Sequence, residues 1–114
     1  MTKPEITWQD FEKIDIRVGT IITAIDFEKA RNPSYQLEID FGDLGIRKSA
    51  AQITTLYKKE DLIGKQIMAV VNFPKKQIAN FFSGCLVMGV YGENKSEVTL
   101  LTSSLPVKNG LEVG

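Results

Sequence analysis

Hydrophobic and polar residues alternate along the first half of the chain with a period of two, which predicts half-buried β-strands. The alternation is unbroken from Tyr35 to Phe41. The segment Ile14–Ala24 starts with the same alternation and continues as an apolar run rich in β-branched residues. After a glycine-containing turn, Ile46–Ala51 has the pattern of a return strand. We therefore predict three strands here, the last two joined as a hairpin.

The second half has shorter apolar runs. Gln66–Phe73 is a continuous apolar segment, predicted to be a strand buried on both faces and ended by Pro74, which cannot donate to a strand ladder. Leu86–Val90 and Val98–Leu101 are two further predicted strands, joined by the turn-rich linker Tyr91–Lys95.

Helical signals are few. Thr7 and Asp10 have the spacing of a short capping box ahead of a helical turn, and a second turn is expected within residues 52–61. At least five short strands with one or two helical turns predict an all-β barrel or sandwich, and a five-stranded OB-type barrel fits the strand number and chain length.

Length and composition are those of one globular domain spanning residues 1–114. The chain has 43% hydrophobic and 25% charged residues. No apolar run approaches the ~20 residues that cross a bilayer, and the polar N-terminus lacks a signal-peptide core, so we expect no membrane insertion and a cytoplasmic location.

The residue inventory excludes most catalytic chemistry. There is no histidine and a single cysteine, Cys85, which rules out a Ser-His-Asp triad, histidine metal ligands, an internal disulfide and a multi-cysteine zinc site. Carboxylates occur at no diagnostic spacing, and no glycine-rich phosphate loop is present. We therefore expect no enzyme activity, metal or cofactor.

Charge is unevenly distributed although the formal net charge is zero. Residues 1–43 carry five basic and nine acidic side chains, whereas residues 44–80 carry seven basic and two acidic ones. A basic middle third can present a local positive face to a polyanion. The alternative is that these lysines only solvate the surface.

Several segments together resemble the free-standing tRNA-binding domain, which also occurs appended to methionyl- and phenylalanyl-tRNA synthetases. The Val71–Pro74 and Ala51–Ile53 segments are most similar to its CsaA branch of secretion-linked chaperones. The sequence departs from this pattern at Gly84, where an acidic residue is usual, at Asn80, where glycine is common, and at Lys108, which replaces a proline. The matching segments are Asp15–Gly19, Ser49–Ile53, Leu62–Gln66, Val71–Pro74, Leu86–Gly89 and Pro106–Gly110.

This resemblance implies a noncatalytic OB-fold that dimerises through its terminal segments and binds the elbow or acceptor region of tRNA on one face. For the CsaA branch it also implies binding of unfolded or exported polypeptides, the preproteins of a secretion pathway. Whether RNA or polypeptide is the natural partner stays open at this point.

The best phosphate-binding candidates are Lys75 and Lys76, directly after Pro74, although such a pair can also simply protect a strand edge. Neighbouring strand residues point to opposite faces, so Arg47 is favoured over Lys48 because it shares its face with Ser49. Asn72 is interpreted equally well as a buried group that hydrogen-bonds the neighbouring loop. Ser83 is by default a turn or cap residue, and only its position in the family implies an RNA contact. The predicted RNA-binding residues are Arg47, Lys48, Ser49, Gln52, Asn72, Lys75, Lys76 and Ser83.

The remaining candidates are apolar. Large aromatic side chains outside the predicted strands belong either to the core, to an apolar dimer or peptide-binding surface, or to a base-stacking site. Phe81 and Phe82 are adjacent, so in an extended segment one faces inward and the other is left for a partner. The predicted dimer or peptide contacts are Trp8, Phe11, Phe81, Phe82 and Leu111.

Overall fold

The central strand of the fold is β1, which has neighbours along its whole length. The computed structural model describes all residues from Met1 to Gly114. Its elements are α1 (Trp8–Glu12), β1 (Ile16–Asp26), β2 (Tyr35–Asp40), β3 (Ile46–Ala51), α2 (Lys59–Leu62), β4 (Gln66–Val70), β5 (Lys76–Ile78), β6 (Phe81–Ser83), β7 (Leu86–Val87), β8 (Gly89–Tyr91), β9 (Val98–Leu100) and β10 (Glu112–Val113).

The main sheet has the antiparallel order β3-β2-β1-β4-β7, and β10 also pairs with β1. Its two edges come together where the amide of Gly84 donates to the carbonyl of Lys48 at 2.7 Å. The result is a nearly closed five-stranded barrel, so the predicted all-β OB-fold is confirmed.

The barrel interior is filled as the alternating pattern predicts. Along β2, Tyr35, Leu37 and Ile39 are buried, while the polar residues between them are only partly covered. They pack in one cluster with residues from the other strands and with Leu62 of α2. The capping box of α1 is also confirmed, because Thr7 accepts a hydrogen bond from the amide of Asp10 and donates its own amide to the Asp10 carboxylate.

Several predicted boundaries were wrong. β4 ends at Val70, not Phe73, and Phe73 lies in the following loop with 56% of its surface exposed. The single strand predicted over Leu86–Val90 is broken at Met88, because β7 stays in the barrel and β8 turns out to pair with β9. The hairpin of β5 and β6 was not predicted.

The C-terminal segment is a strap across the barrel. The carboxamide oxygen of Asn109 accepts hydrogen bonds from the Thr20 hydroxyl at 2.7 Å and the Gln66 amide at 3.1 Å. Gly110 has φ +92°, and a Cβ there would lie 2.5 Å from the carbonyl oxygen of Phe41. The Asn-Gly pair of the Pro106–Gly110 segment is therefore required by packing against β1 and the end of β2. Neither helix is long and apolar enough to span a membrane.

Candidate nucleic-acid interface

An open groove of about 1130 Å³ lies between the end of β3, the loop that follows β4, and the β7–β9 region. Eleven of its nineteen lining residues are hydrophobic. Four of the others are lysines, and none is aspartate or glutamate. We call this surface the lysine groove and define it by Lys3, Lys75, Lys76 and Lys95 with the apolar side chains between them.

The four lysines carry uncompensated charge. All are exposed, and none belongs to an ion pair, since the three ion pairs of the structure involve Lys13, Arg17 and Lys59. Lys75 is the last residue of the loop that follows β4, and Lys76 is the first residue of β5. Because no carboxylate lies among them, this surface has a local positive potential although the whole chain is neutral.

Two aromatic rings are exposed in the same groove. Phe73 is 56% exposed and Tyr91 is 67% exposed. The ammonium of Lys95 lies 5.8 Å from the centroid of the Tyr91 ring, within the range of a cation–π contact. The groove therefore holds two exposed rings as well as four lysines.

The structure places four of the eight predicted RNA-binding residues in the lysine groove, namely Gln52, Lys75, Lys76 and Ser83. Gln52 is exposed there. Ser83 is partly buried, and its hydroxyl donates to the carbonyl of Cys85 at 3.2 Å and accepts from the amide of Ala50. The lysine pair and Gln52 are thus the predicted groups with polar atoms free for a ligand.

The other four predicted residues lie outside the groove. The face shared by Arg47 and Ser49 is the inner face of β3, contrary to the preference for Arg47, and Lys48 points outward opposite Glu38. Ser49 is 1% exposed and donates to the carbonyl of Cys85 at 3.0 Å, so in this structure it has no access to a ligand. The guanidinium of Arg47 donates to the carbonyl of Val71.

Asn72 is exposed, but both ends of its carboxamide are occupied. Its oxygen accepts from the amide of Asp15 at 3.0 Å, and its nitrogen donates to the carbonyl of Lys13 at 2.7 Å. It joins the end of α1 to the loop after β4, which is the structural alternative considered for this residue.

The predicted dimer or peptide contacts are divided between surface and interior. Trp8, Phe82 and Leu111 are 80%, 55% and 49% exposed, respectively. Phe11 and Phe81 are partly buried, and the Phe81 ring packs on Phe27 with 5.4 Å between centroids. None of the five lines the lysine groove.

The sequence analysis missed four groove residues, Lys3, Phe73, Tyr91 and Lys95. Phe73 was assigned to a buried strand, and Tyr91 and Lys95 to a linker. The pairing of an aromatic residue with a lysine four positions later was the available signal, but only the β8–β9 hairpin brings it to the groove.

Three ionisable groups have raised pKa values for structural reasons. The ammonium of Lys59 donates a hydrogen bond of 2.7 Å to the Asp26 carboxylate, which raises the pKa of Lys59, and the bond that the Arg17 guanidinium donates to Asp15 raises the pKa of Arg17. Burial raises the pKa of the Cys85 thiol to about 11. At neutral pH this thiol is protonated and a poor nucleophile, in agreement with a structural role.

Comparison with known proteins shows the family to which the chain belongs. Residues 16–112 match the family described as "Putative tRNA binding domain". The chain is 30% identical over 110 residues to the methionine–tRNA ligase of Bdellovibrio bacteriovorus, an alignment that covers 96% of this chain and 15% of that ligase. The chain thus spans a small part of the length of this curated relative.

Two solved structures are similar over almost their whole length. The chaperone CsaA of Bacillus anthracis is 45% identical with a TM-score of 0.92, covering 97% of this chain and 100% of that one. The CsaA chaperone protein of Picrophilus torridus is 50% identical with a TM-score of 0.88, covering 96% and 100%. Taken with the family match over most of its length, these similarities show that the chain belongs to the tRNA-binding domain family and resembles the CsaA chaperones within it.

Proposed function

We propose that this chain is a noncatalytic, cytoplasmic protein that binds tRNA or another structured RNA in the lysine groove. The observation that carries the proposal is the lining of the groove, which holds four lysines and no carboxylate. Membership of the tRNA-binding domain family supports RNA as the polyanion.

We expect electrostatic attraction between the lysines and the RNA phosphates to supply most of the affinity. Each ammonium that neutralises a phosphate releases a condensed counterion, so affinity falls as salt rises. Four such contacts correspond to a slope of about −3 to −4 in log K against log salt concentration. Gln52 adds a donor and an acceptor that suit a base edge or a ribose 2′-hydroxyl.

A salt titration of binding to unfractionated tRNA tests the proposal. We expect Lys75→Glu with Lys76→Glu to weaken binding at least about tenfold at low salt and to make the slope about two units shallower. The matched control is Lys58→Glu with Lys65→Glu, the same charge change at exposed lysines of the same basic third that do not line the groove. Equal loss in both double variants, or no binding of tRNA at low salt, would refute the proposal.

A homodimer is part of this proposal. Support comes from exposed apolar side chains at both ends of the chain, with Trp8 80% and Leu111 49% exposed, and from the family resemblance. Sedimentation at micromolar concentration should give twice the 12.7 kDa chain mass. Trp8→Ser should shift the mass toward the monomer, whereas a wild-type mass near 12.7 kDa would disprove the dimer.

A chaperone that holds unfolded or export-bound polypeptides is the second candidate. It is favoured by the hydrophobic majority of the groove lining and by the similarity to two proteins described as CsaA chaperones. Leu86 in the groove and Phe82 outside it are 52% and 55% exposed, so Leu86→Ser and Phe82→Ser test two surfaces separately. Loss of aggregation suppression in either serine variant, with no loss in the lysine double variant, would favour this function.

A further inference from the structure

The two exposed rings of the lysine groove are not part of the barrel core. Phe73 and Tyr91 both lie outside the hydrophobic cluster of the barrel, and most of the surface of each ring faces solvent. Exposing a large aromatic side chain has a hydration cost, and the two rings lie among the groove's four lysines. Exposed aromatic side chains beside cations are the usual arrangement of a stacking platform for nucleobases.

Bases inside a duplex are already stacked on each other and cannot also stack on a protein ring. A groove that offers both rings and ammonium groups is therefore suited to an unpaired segment, whose bases are free to turn away from their backbone. At about 1130 Å³ the groove slightly exceeds the ~300–1,000 Å³ range of pockets for drug-sized ligands, which allows more than one nucleotide.

We infer that the lysine groove binds a single-stranded segment of RNA, with bases stacked on Phe73 and Tyr91 and phosphates contacted by the lysines. This inference rests on the proposed function and adds which part of the RNA enters the groove. Lys95 has two roles, since its ammonium attracts the phosphate backbone of the RNA and also lies over the Tyr91 ring.

Charge decides between RNA and an unfolded polypeptide as the occupant of the rings. An apolar polypeptide gains nothing from four lysines, which would repel basic segments, whereas every nucleotide carries one phosphate that they attract. The single-stranded polyanion therefore matches both components of the lining, and the polypeptide matches only the apolar one.

The test is fluorescence anisotropy with three probes, namely labelled hexauridylate, a hexamer of abasic ribose phosphate, and a blunt twelve-base-pair RNA duplex. We expect hexauridylate to bind more tightly than the other two. Phe73→Ala and Tyr91→Ala should each weaken hexauridylate binding by about 5- to 150-fold. The slope of log K against log salt should stay unchanged, because no charge is lost.

Ile63→Ala is the control, because Ile63 is 56% exposed, as Phe73 is, but does not line the groove. It should bind hexauridylate like the wild type. Tyr91→Phe and Phe73→Trp keep an aromatic ring on which a base can stack, so both variants should retain hexauridylate binding. If the rings only filled space, the larger tryptophan side chain would not be expected to preserve it.

The outcomes separate this inference from the proposed function. If the alanine variants bind tRNA and hexauridylate like the wild type, or the duplex and abasic probes bind as tightly as hexauridylate, the inference is wrong while the proposed function stands. If neither tRNA nor hexauridylate binds at low salt, both fail. If the alanine changes reduce binding of a denatured polypeptide but not of hexauridylate, the rings belong to a polypeptide site and the inference is overturned.

Discussion

The guanidinium of Arg47 donates a hydrogen bond of 2.6 Å to the main-chain carbonyl oxygen of Val71. It thereby joins the inner face of β3 to the chain just beyond β4, two strands that are not neighbours in the sheet. We predict that Arg47→Met lowers the free energy of unfolding by about 1–3 kcal/mol, because a charged hydrogen bond is lost and a carbonyl is left without its partner. Urea denaturation measures this change.

Lys48→Met is the control for that measurement, since Lys48 is exposed, makes no side-chain hydrogen bond and carries the same charge. It should change the unfolding free energy by no more than about 0.5 kcal/mol. A similar loss in both variants would show that the bond to Val71 does not stabilise the fold.

Asn109 connects the C-terminal strap to two strands through a single oxygen atom. Asn109→Ala leaves the Thr20 hydroxyl and the Gln66 amide without that acceptor, so we predict a loss of about 1–3 kcal/mol in the free energy of unfolding. Amide hydrogen exchange should also become faster in residues 107–113 before the rest of the barrel is affected. Lys108→Ala, one position earlier on an exposed side chain, should leave both measurements unchanged.

The β5–β6 hairpin turns through Ala79, which has φ +53° and is the single non-glycine residue with positive φ. The next residue, Asn80, does not have positive φ. We predict that Ala79→Gly raises the unfolding free energy by about 0.5–1 kcal/mol, because the positive φ strains a Cβ.

Asn80→Gly should lower the unfolding free energy or leave it unchanged, since glycine there only adds conformational freedom to the unfolded chain. Thermal unfolding of the two variants compares them directly. A lower melting temperature for Ala79→Gly than for the wild type would contradict the strain argument.

Gly84 has room for a side chain, since a Cβ would meet only the carbonyl oxygen of Lys48 at 3.8 Å and φ is not positive. It also lies between Ser83 and Cys85, which line the lysine groove. We predict that Gly84→Asp folds with stability close to the wild type but weakens tRNA binding severalfold at low salt, because a carboxylate then opposes the lysines. Gly84→Asn is the uncharged control in the same binding assay, and equal affinity of the two variants would contradict an electrostatic effect.

Cys85 should make stability depend on pH in the alkaline range. Its pKa is about 11 in the folded chain against an ordinary value of 9.0. Below pH 9 the thiol is protonated in both states and its contribution is complete. Between pH 9 and 11 the unfolded chain loses the proton while the folded chain keeps it, so the free energy of unfolding falls, by at most about 2–3 kcal/mol.

Cys85→Ala removes this group, so the difference in unfolding free energy between wild type and variant, measured by urea denaturation, isolates the contribution of Cys85. The difference should shrink as pH rises from 9 to 11. Parallel curves for the two proteins across that range would contradict the prediction.

Much of the barrel could be predicted because its strands alternate. In β2 a one-residue shift would expose Leu37 and Ile39, so the pattern alone fixes which side chains are inside. The same argument failed in β3, where small and polar residues are mixed. Alternation there correctly grouped Arg47 with Ser49, but it could not tell which of the two faces is the interior.

Only part of the lysine groove could be predicted, because a sequence pattern reports on neighbouring residues and not on distant ones. Lys75 and Lys76 are a pair of lysines directly after Pro74, a local signal that can be read from the sequence. Lys3 and Lys95 lie far from them and from each other in the sequence. The folded chain brings all four lysines to one groove, which no pattern within a single segment could predict. Phe73 was misplaced because an apolar run does not reveal where its strand ends, and β4 ends three residues earlier.

The pairing of β10 with the beginning of β1 has a consequence for biosynthesis. Ile16 is partnered by Val113, so one flank of the first strand stays without its neighbour until residue 113 has been synthesised. Contacts over such a sequence separation slow folding and leave an open strand edge meanwhile. A shorter nascent chain can therefore contain all five barrel strands while this flank of β1 is still uncovered, and docking of β10 is a late step of folding.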